Sequence, residues 1–474
     1  MTGNMHQFGW LAIARVGLVQ AALGAMVVLT TSTLNRIMVV ELAFPAMLPG
    51  FLVALHYMVQ LARPRMGFGS DVGGRRTPWI VGGMAVLAVG GVLASSATAW
   101  MATNQPAGIA LAVCAFVLIG LGVSASGTSL LVMLAKRVDE GKRAAAATLV
   151  WMMMIFGFAV TAGVAGKLLD PYSPTRLIAV TAAVCALAFV VALLAVYKLE
   201  GPAQQREALE KTTLPTWPEL LPTLLPKPSF RQALGEVWAE PAARQFTIFV
   251  FVSMLAFSAQ DLILEPFAGT VFGFTPGQST QLSGVQHGGV LAGMILVALA
   301  GMVGSRWGNK RGLRHVGSLR GWTVGGCVAS ALALAALCAA GFTGPGWPLL
   351  ATVFCLGVAN GAFSIGAISS MMRLAGQGRQ AREGVRMGMW GAAQAIAFGL
   401  GGFAGTAASD VARWLIASPG AAYACVFGLE ALLFVVSAVL AWRVGVTPSV
   451  TTPAVAPTKN QLPAAMIFAS DFAK

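Results

Sequence analysis

The chain has 474 residues, of which 57% are hydrophobic and only 10% are charged, whereas about 25% of the residues in an ordinary soluble domain are charged. This composition excludes a water-soluble globule, a fibrous protein and a disordered chain, and it predicts an all-α polytopic membrane protein. The formal net charge of +14 does not indicate a nucleic-acid partner, because the basic residues lie in short clusters between apolar runs, as in loops beside anionic lipid headgroups.

A helix that crosses a bilayer needs about 20 apolar residues, and twelve runs of this sequence meet that requirement. The predicted transmembrane helices, in chain order, are 12–33, 46–64, 78–99, 107–134, 145–167, 176–197, 244–266, 281–303, 320–341, 347–371, 386–407 and 420–442. All six cysteines lie inside these runs without a Cys-x-x-Cys pair, so we expect neither a disulfide framework nor a protein-bound metal.

The predicted spans form two groups of six, an N-terminal bundle in residues 1–198 and a C-terminal bundle in residues 244–443. Between the bundles, the polar segment 199–243 contains repeated prolines, which prevent a continuous helix and indicate a linker. Its piece 229–240 has apolar residues at helical spacing and is predicted to be an amphipathic helix on the membrane face. The Pro- and Thr-rich segment 444–474 is predicted to be a disordered tail.

The distribution of basic residues predicts the orientation in the membrane. Of the 31 Lys and Arg residues, all but Arg36, Lys167, Arg176 and Arg413 fall in the two termini, the linker or the loops after even-numbered spans. Because cytoplasmic loops carry an excess of Lys and Arg, both termini and the linker are expected in the cytoplasm.

The two groups of spans repeat one another in sequence. His56 in span 2 and His287 in span 8 are 231 residues apart. Arg143 stands eight residues before Trp151 at span 5, and the same spacing recurs 239 residues later, at span 11, with Arg382 and Trp390. Near-constant offsets across half of the chain predict a duplicated six-helix unit, with both copies in the same orientation.

Twelve spans in two parallel repeats with a long linker resemble the major facilitator superfamily. The loop after span 2 carries Gly67, Asp71, Gly74, Arg75 and Arg76, which resembles the superfamily signature Gly-x-x-x-Asp-Arg-x-Gly-Arg-Arg. The glycines permit a tight turn, the aspartate can accept hydrogen bonds from a helix N-terminus, and the two arginines are expected in the headgroup layer.

The match to that signature is incomplete in both copies. Val72 stands where the superfamily has arginine, and the second copy, after span 8, has Ser305 in place of the acid. The resemblance therefore implies a weakened ion-pair latch for the rocking cycle of superfamily transporters.

Three stretches carry a narrower resemblance. They are Leu34–Leu42, which leads into Leu55-His56-Tyr57, then Gln260–Phe267, and finally 382–399 with its Trp390. Together they resemble the PucC/LhaA family, the bacteriochlorophyll-delivery branch of the superfamily in purple phototrophic bacteria. The resemblance implies an assembly factor, not an enzyme, that binds or delivers bacteriochlorophyll. Its implied partners are peptides of the core light-harvesting antenna (LH1), and with them the photosynthetic reaction centre.

Four acidic residues are predicted to lie in or at the ends of spans, where an unpaired charge is costly. Asp261 and Glu265 are four residues apart and share a helix face, and Glu265 precedes Pro266, which predicts that span 7 ends there. One reading of Glu41, Asp261 and Glu265 is a proton or cation site. The favoured reading is a structural clamp with Arg36 as the counter-ion. The fourth acid, Glu430, is expected to form a hydrogen bond to another helix.

Two pairs of repeat-related residues are candidate pigment contacts. The neutral imidazole of His56 or His287 can ligate the magnesium of bacteriochlorophyll, although each can equally be a hydrogen-bonded packing residue. The indoles of Trp151 and Trp390 can line a pigment groove, or they can serve as core packing.

Small residues follow one face of span 11 and can let another helix approach closely. They are Gly391, Ala392, Ala395, Gly399, Gly402 and Gly405, and they are predicted to face antenna peptides unless the stripe packs inside the protein.

Two other functions stay open: a proton-coupled secondary transporter of a small, mostly apolar solute, and a structural partner without a ligand. The scarcity of polar residues in the spans argues against a hydrophilic substrate. No Ser-His-Asp order or phosphate loop stands out, so hydrolytic and nucleotide chemistry are not expected.

Overall fold

The computed structural model describes residues 8–63, 75–200, 230–311, 318–377 and 383–444, and this part of the chain is helical with no strand. The helices are α1 Trp10–Glu41, α2 Met47–Val59, α3 Thr77–Met101, α4 Gln105–Arg137, α5 Glu140–Leu169, α6 Pro174–Val196, α7 Phe230–Ala239, α8 Pro241–Phe272, α9 Pro276–Arg311, α10 Leu319–Thr343, α11 Leu349–Gln377, α12 Glu383–Leu415 and α13 Pro419–Arg443.

The chain is a multi-span membrane protein. Within the described residues, eleven helices are long and apolar enough to cross a membrane, and α2 is a shorter apolar helix at the position of the remaining predicted span. The amphipathic helix predicted over 229–240 is present as α7, whereas 241–243, assigned to the linker, already belong to α8. Most of the predicted tail, 445–474, lies outside the described residues.

Short polar turns set where several of the long helices begin. Asn104, Ser173 and Ser418 each precede a helix with proline in its first turn, and each side chain accepts a hydrogen bond from the backbone three residues later, at 3.2, 3.1 and 3.4 Å respectively. These caps satisfy backbone donors that have no partner inside the helix. The capped turns are short, and consecutive helices are therefore antiparallel neighbours.

The helices form two six-helix halves with separate apolar cores. The core of the first half, α1 to α6, contains residues such as Ile13, Leu87 and Phe116. The core of the second half, α8 to α13, is rich in aromatic rings, among them Phe246 and Phe427. Two pairs of helices join the halves along their length, α2 with α12 and α5 with α9, and we call these contacts the α2–α12 seam and the α5–α9 seam.

Helix α1 is irregular near its end, in the stretch that carried part of the family resemblance. It is α-helical over Trp10–Val28 and then contains two π-helical turns, Leu29–Thr33 and Ile37–Glu41. Such turns frequently mark functional sites. Between the two turns lies Asn35, a buried residue that contacts the other half.

Helix α8 continues past Pro266 to Phe272, so the prediction that it ends at Glu265 was wrong. A proline inside a helix leaves the carbonyl four residues earlier without its intrahelical donor. In this protein Asn35 Nδ2 donates to that carbonyl, on Leu262. The side chain of the other half therefore compensates for the missing bond.

The two halves are joined by hydrogen bonds at one end of the bundle, which contains the α1–α2, α5–α6, α8–α9 and α12–α13 turns. We call this the distal end. Asp170, after α5, accepts hydrogen bonds from Gly277 N at 3.1 Å and Thr275 Oγ1 at 2.6 Å, at the start of α9. Asp410, late in α12, accepts from Ala46 N at 2.9 Å and Met47 N at 2.7 Å, at the start of α2. The duplicated unit thus closes the distal end with two equivalent acid caps.

Candidate functional site

His56 lies in α2 with both ring nitrogens committed to protons or hydrogen bonds. Arg63 donates to Gln60 Oε1, which leaves Gln60 Nε2 to donate to His56 Nε2 at 2.8 Å. The remaining ring nitrogen, Nδ1, therefore carries the proton of the neutral imidazole, and no described residue accepts a hydrogen bond from it. Because the one lone pair of the ring is used, the predicted role of His56 as a magnesium ligand does not fit this arrangement.

His287, the repeat counterpart in α9, has the opposite tautomer. Its Nδ1 lies 2.8 Å from the Ser283 carbonyl oxygen and must donate to it, because a carbonyl only accepts. Nε2 therefore keeps its lone pair. The Phe158 ring packs against the imidazole in a T-shaped arrangement, with ring centroids 4.9 Å apart. The donor chemistry of His287 fits a magnesium ligand.

The two repeat-related tryptophans also lie in different surroundings. Trp151 is partly buried in the α5–α9 seam, beside a cluster that includes Ile155 and Met294. Trp390 is 1% exposed in the core of the second half, where its ring meets Phe246 edge-on at 5.0 Å. The structure therefore places Trp390 among packing residues and away from any ligand surface, whereas Trp151 lies between the halves.

An apolar groove of about 340 Å³ opens on the outer surface of the α2–α12 seam. Its lining contains one residue with a polar group, Tyr57. The centroid of the Tyr57 ring lies 4.7 Å from that of His56 and 5.3 Å from that of Phe398. The full lining is Phe51, Ala54, Tyr57, Met58, Leu61, Ala395, Ile396, Gly399, Leu400 and Phe403. Large side chains along its rim are about half exposed, and in a bilayer they face lipid.

The groove divides the predicted stripe of small residues on α12. Ala395 and Gly399 line it, and a Cβ on Gly399 would meet Tyr57 Cβ at 3.4 Å, an ordinary contact. Gly402 instead packs inside the protein, where a Cβ would lie 2.7 Å from Leu262 Cδ1. Gly391 is in open space, with nothing within 4 Å of its Cβ position. The prediction of a continuous partner-facing stripe through Gly402 was therefore wrong.

Two of the predicted intramembrane acids lie together on the face of α8 that meets α9. Gln286 Nε2 donates to Asp261 Oδ1 at 3.0 Å, and Ser283 Oγ donates to Glu265 Oε1. The shared helix face predicted for the two acids is therefore confirmed. Since Ser283 also supplies the carbonyl that accepts from His287, the cluster forms a continuous polar chain on α8 and α9.

The clamp predicted for Glu41 is present at the distal end. Arg36 forms an ion pair with Glu41, and its guanidinium also donates to the Phe274 carbonyl of the other half at 2.6 Å. Burial raises the pKa of the neighbouring Tyr172 hydroxyl, and the Glu41 carboxylate raises it further against the opposing effect of Arg36. Tyr172 therefore stays neutral beside the pair at physiological pH.

The fourth acid contradicts the prediction made for it. Glu430 is 2% exposed in the middle of α13, and neither of its carboxylate oxygens has a hydrogen-bond partner in the part of the chain that the structure describes. The expected hydrogen bond to another helix is absent there.

The predicted loop motif lies mostly outside the described residues. Gly67, Asp71 and Gly74 lie outside the described residues, and so does Arg382. Arg75 is exposed, whereas Arg76 is buried at 5% exposure. The backbone amides of Arg76 and Thr77 each donate to Glu200 at 2.8 Å. Arg143 is exposed and donates from Nε to the Val138 carbonyl at 3.0 Å.

Sequence reasoning missed a buried clamp between α12 and the linker. Arg386 donates from Nε and NH2 to the two oxygens of Glu240 at 2.9 and 2.8 Å, and Trp390 Nε1 donates to the Ala243 carbonyl at 3.4 Å. The repeat-related position of Arg386, 239 residues earlier, is Ala147. The first half therefore has no arginine at this position. Arg386 stands four residues before Trp390, and that spacing on one helix face was the signal available in the sequence.

Two six-helix halves joined along the α2–α12 and α5–α9 seams define a membrane protein of the major facilitator type. Solved structures agree at the level of the fold. The peptide transporter POT has a TM-score of 0.63 at 14% identity, covering 93% of this chain and 96% of that one. A D-xylose-proton symporter has a TM-score of 0.62 at 17% identity, covering 90% and 97%.

Within that class, the family is shown by sequence. The model of the PUCC protein family matches residues 33–448, and the chain belongs to this family. It is 52% identical over 433 residues to the "Bacteriochlorophyll synthase 44.5 kDa chain" of Rhodobacter capsulatus, covering 91% of this chain and 95% of that one. It is 30% identical to "Protein PucC" of Cereibacter sphaeroides, with 88% of each chain covered.

Proposed function

We propose that this protein is an assembly factor for the light-harvesting antenna of a phototrophic bacterium, and that it presents bacteriochlorophyll to LH1 antenna peptides inside the bilayer. The observation that carries the proposal is the apolar groove on the outer surface of the α2–α12 seam. A pigment with a large apolar surface gains nothing by crossing water, so transfer to a single-span peptide requires a site that opens laterally to lipid.

The groove has the apolar character that the apolar part of such a pigment requires. Its exposed lining consists almost entirely of aliphatic and aromatic carbon. Ala54, Ala395 and Gly399 are the small residues of the lining, and small residues also allow a partner helix to approach closely. When bound, bacteriochlorophyll supplies light absorption and a magnesium ion that needs an axial ligand. His56 does not fit as that ligand, because its lone pair accepts from Gln60.

The name of the R. capsulatus relative ties that protein to bacteriochlorophyll, which supports the pigment class for this chain. The same name contains the word synthase. In our proposal the chain carries out no covalent step of its own. Total pigment synthesis in a strain without the gene distinguishes the two, because an assembly factor leaves it unchanged and a synthase subunit does not.

The functional test is complementation of a phototrophic host that lacks the gene. The deletion should reduce assembled LH1, measured by its absorption in membranes, without lowering antenna transcripts. The natural sequence should restore assembly, and Gly399→Leu, which fills the groove, should not. Gly391→Leu is the matched control on the same helix, because its Cβ meets nothing within 4 Å. Equal restoration by both variants would reject the groove as the working surface.

The partner side of the proposal is tested separately. The protein should co-purify with LH1 peptides, and with the reaction centre where LH1 surrounds it. Gly399→Leu should weaken this association while the protein still inserts, because a leucine side chain prevents close helix approach. Insertion is checked by the amount of protein in membranes, and retained association would contradict the proposed contact.

A proton-coupled transporter of a small apolar solute is the second candidate function. It is favoured by the buried carboxyls of Asp261 and Glu265, which lie between helices in a fold shared with proton symporters. A deletion strain that assembles normal antenna but loses uptake or export of a solute would select this candidate over the assembly factor.

A further inference from the structure

Three aromatic rings meet in the middle of the second half and mark one level of its core. Phe257 of α8 contacts Phe363 of α11 with ring centroids 6.4 Å apart, and Phe363 contacts Phe434 of α13 at 5.6 Å. One turn from each ring toward the distal end stands a polar residue: Gln260 on α8, Asn360 on α11 and Glu430 on α13. We call these three residues the polar layer.

A second aromatic contact closes the polar layer from the distal side. Phe267 of α8 and Phe427 of α13 have ring centroids 5.0 Å apart. Gln260 lies seven residues, or two helical turns, from Phe267, and Glu430 lies three residues from Phe427. These spacings keep the polar side chains on the same helix faces as the rings. The layer is therefore enclosed between two levels of aromatic packing.

The polar layer is buried and its hydrogen bonding is incomplete. Gln260 and Asn360 are 0% exposed and Glu430 is 2% exposed. Asn360 Oδ1 accepts from Ser330 Oγ at 2.9 Å. Five atoms have no hydrogen-bond partner among the residues that the structure describes: Oε1 and Nε2 of Gln260, Oε1 and Oε2 of Glu430, and Nδ2 of Asn360. Buried polar groups almost always have a partner, in the protein or in a bound water or ion.

The charge of the layer is also unbalanced. The described charged side chains on α8, α10 and α12, which pack against α13, are Arg244, Asp261, Glu265, Arg320, Arg386, Asp410 and Arg413. The four arginines stand in the first or last turn of their helices, whereas Glu430 is in the middle of α13. Asp261, next to Gln260 in the chain, accepts from Gln286 and adds no positive charge. A buried carboxylate without a compensating cation is strongly unfavourable, so the Glu430 carboxyl holds either a proton or a bound cation.

We propose that the polar layer binds one small monovalent cation, sodium or hydronium. Three of its unpartnered atoms are oxygen acceptors, two on Glu430 and one on Gln260. Its two unpartnered amide nitrogens donate to the water molecules that complete the shell. A divalent ion would leave an uncompensated positive charge beside a single carboxylate, so the site selects charge one. This site is separate from the groove and from any pigment.

Cation binding to the folded state should raise thermal stability. The full-length protein is purified in detergent, and its unfolding temperature is measured by tryptophan fluorescence. Sodium replaces choline at constant ionic strength at several fixed pH values. A sodium site raises the unfolding temperature with sodium concentration, by roughly 1–2 °C for each tenfold increase above half-saturation. A hydronium site raises it as pH falls, without sodium, because the proton is held in the folded chain.

Glu430→Gln keeps the shape of the side chain and removes the charge, so it should abolish whichever dependence the natural sequence shows. The control is Asp139→Asn, a partly exposed acid before α5 that accepts from Lys142 at 3.3 Å, and it should keep the dependence. Gln260→Leu should increase at least threefold the sodium or proton concentration needed for half of the effect. Absence of both dependences in the natural sequence, or their persistence in Glu430→Gln, would overturn the proposal. If Glu430→Gln does not fold, an unchanged midpoint in Gln260→Leu overturns it.

Discussion

The α2–α12 and α5–α9 seams are related by the sequence repeat, and their comparison separates what the duplication retained from what changed afterwards. At the distal end the seams are alike, because Asp170 and Asp410 each cap a helix of the opposite half. In the middle of the bundle they differ. The α5–α9 seam is filled by a cluster with Ile155, Met294 and Val297, whereas the α2–α12 seam leaves the groove.

The repeat shows one sequence difference between the seams. Ala395 and Gly399 line the groove, and 239 residues earlier the chain has Phe156 and Val160, which are 54% and 45% exposed and do not belong to the packed cluster. Small residues on α12 thus correspond to large, exposed ones on α5. The closure of the distal end is therefore a shared property of both halves, and the lateral groove belongs to one seam.

The largest effect is expected where glycine backbones meet in the filled seam. A Cβ on Gly166 would lie 2.6 Å from the Gly277 carbonyl oxygen, which cannot move away without shifting α9. Gly166→Leu should therefore cost at least 1–3 kcal/mol of stability, the usual range for overpacking, and it should lower the yield of folded protein. Gly399→Leu in the other seam should keep normal yield. Size-exclusion profiles of the two variants in detergent measure this contrast, and equal behaviour would show that the seams are packed alike.

A smaller effect is expected for the acid caps, which test the part that the seams share. Asp170→Ala and Asp410→Ala should each cost about 0.5–2 kcal/mol, the usual range for loss of an N-cap. The double variant should cost the sum of the two, since the caps lie in different seams.

Thermal unfolding in detergent measures these costs. Asp139→Ala is the control, because Asp139 stands at the N-cap position of α5 without a side-chain cap bond. If Asp170→Ala and Asp410→Ala lower the stability by different amounts, one seam contributes more than the other to joining the halves at the distal end.

The two histidines sharpen the comparison at the level of pigment. His56→Phe leaves the buried Nε2 of Gln60 without its acceptor and should cost about 1–3 kcal/mol of stability. If the groove holds the pigment, neither His56→Phe nor His287→Phe lowers the pigment that co-purifies. Loss of pigment in His287→Phe alone would instead place magnesium in the α5–α9 seam, at Nε2. Absorption spectra of the two purified variants decide between these seams.

Features that depend on local sequence were predicted well. The spans follow from runs of apolar residues, and the pairing of Arg36 with Glu41 follows from their proximity in the chain. Features that depend on contacts between the halves were not predicted. The sequence around Pro266 indicates a helix end, and α8 continues because Asn35 of the other half binds the exposed carbonyl.

The candidate site shows the same division. Helical periodicity put Gly399 and Gly402 on one face of α12, but the rotation of α12 against α8 decides which of them reaches lipid. The tautomer of His56 was within reach of sequence reasoning, since Gln60 and Arg63 lie one and two turns further along the chain. The unpartnered state of Glu430 was not, because it depends on which side chains surround it in the fold.

The central claim is that the groove of the α2–α12 seam holds bacteriochlorophyll, and the most direct measurement is the pigment retained by the purified protein. The natural sequence and its Gly391→Leu and Gly399→Leu variants are expressed in a phototrophic host, purified in mild detergent and compared by absorption per mole of protein. We predict that pigment co-purifies with the natural sequence and with Gly391→Leu, and that Gly399→Leu retains less than about one tenth of it, the loss expected for about 1.4 kcal/mol of binding free energy. Equal pigment in all three, or pigment in none, would contradict the account.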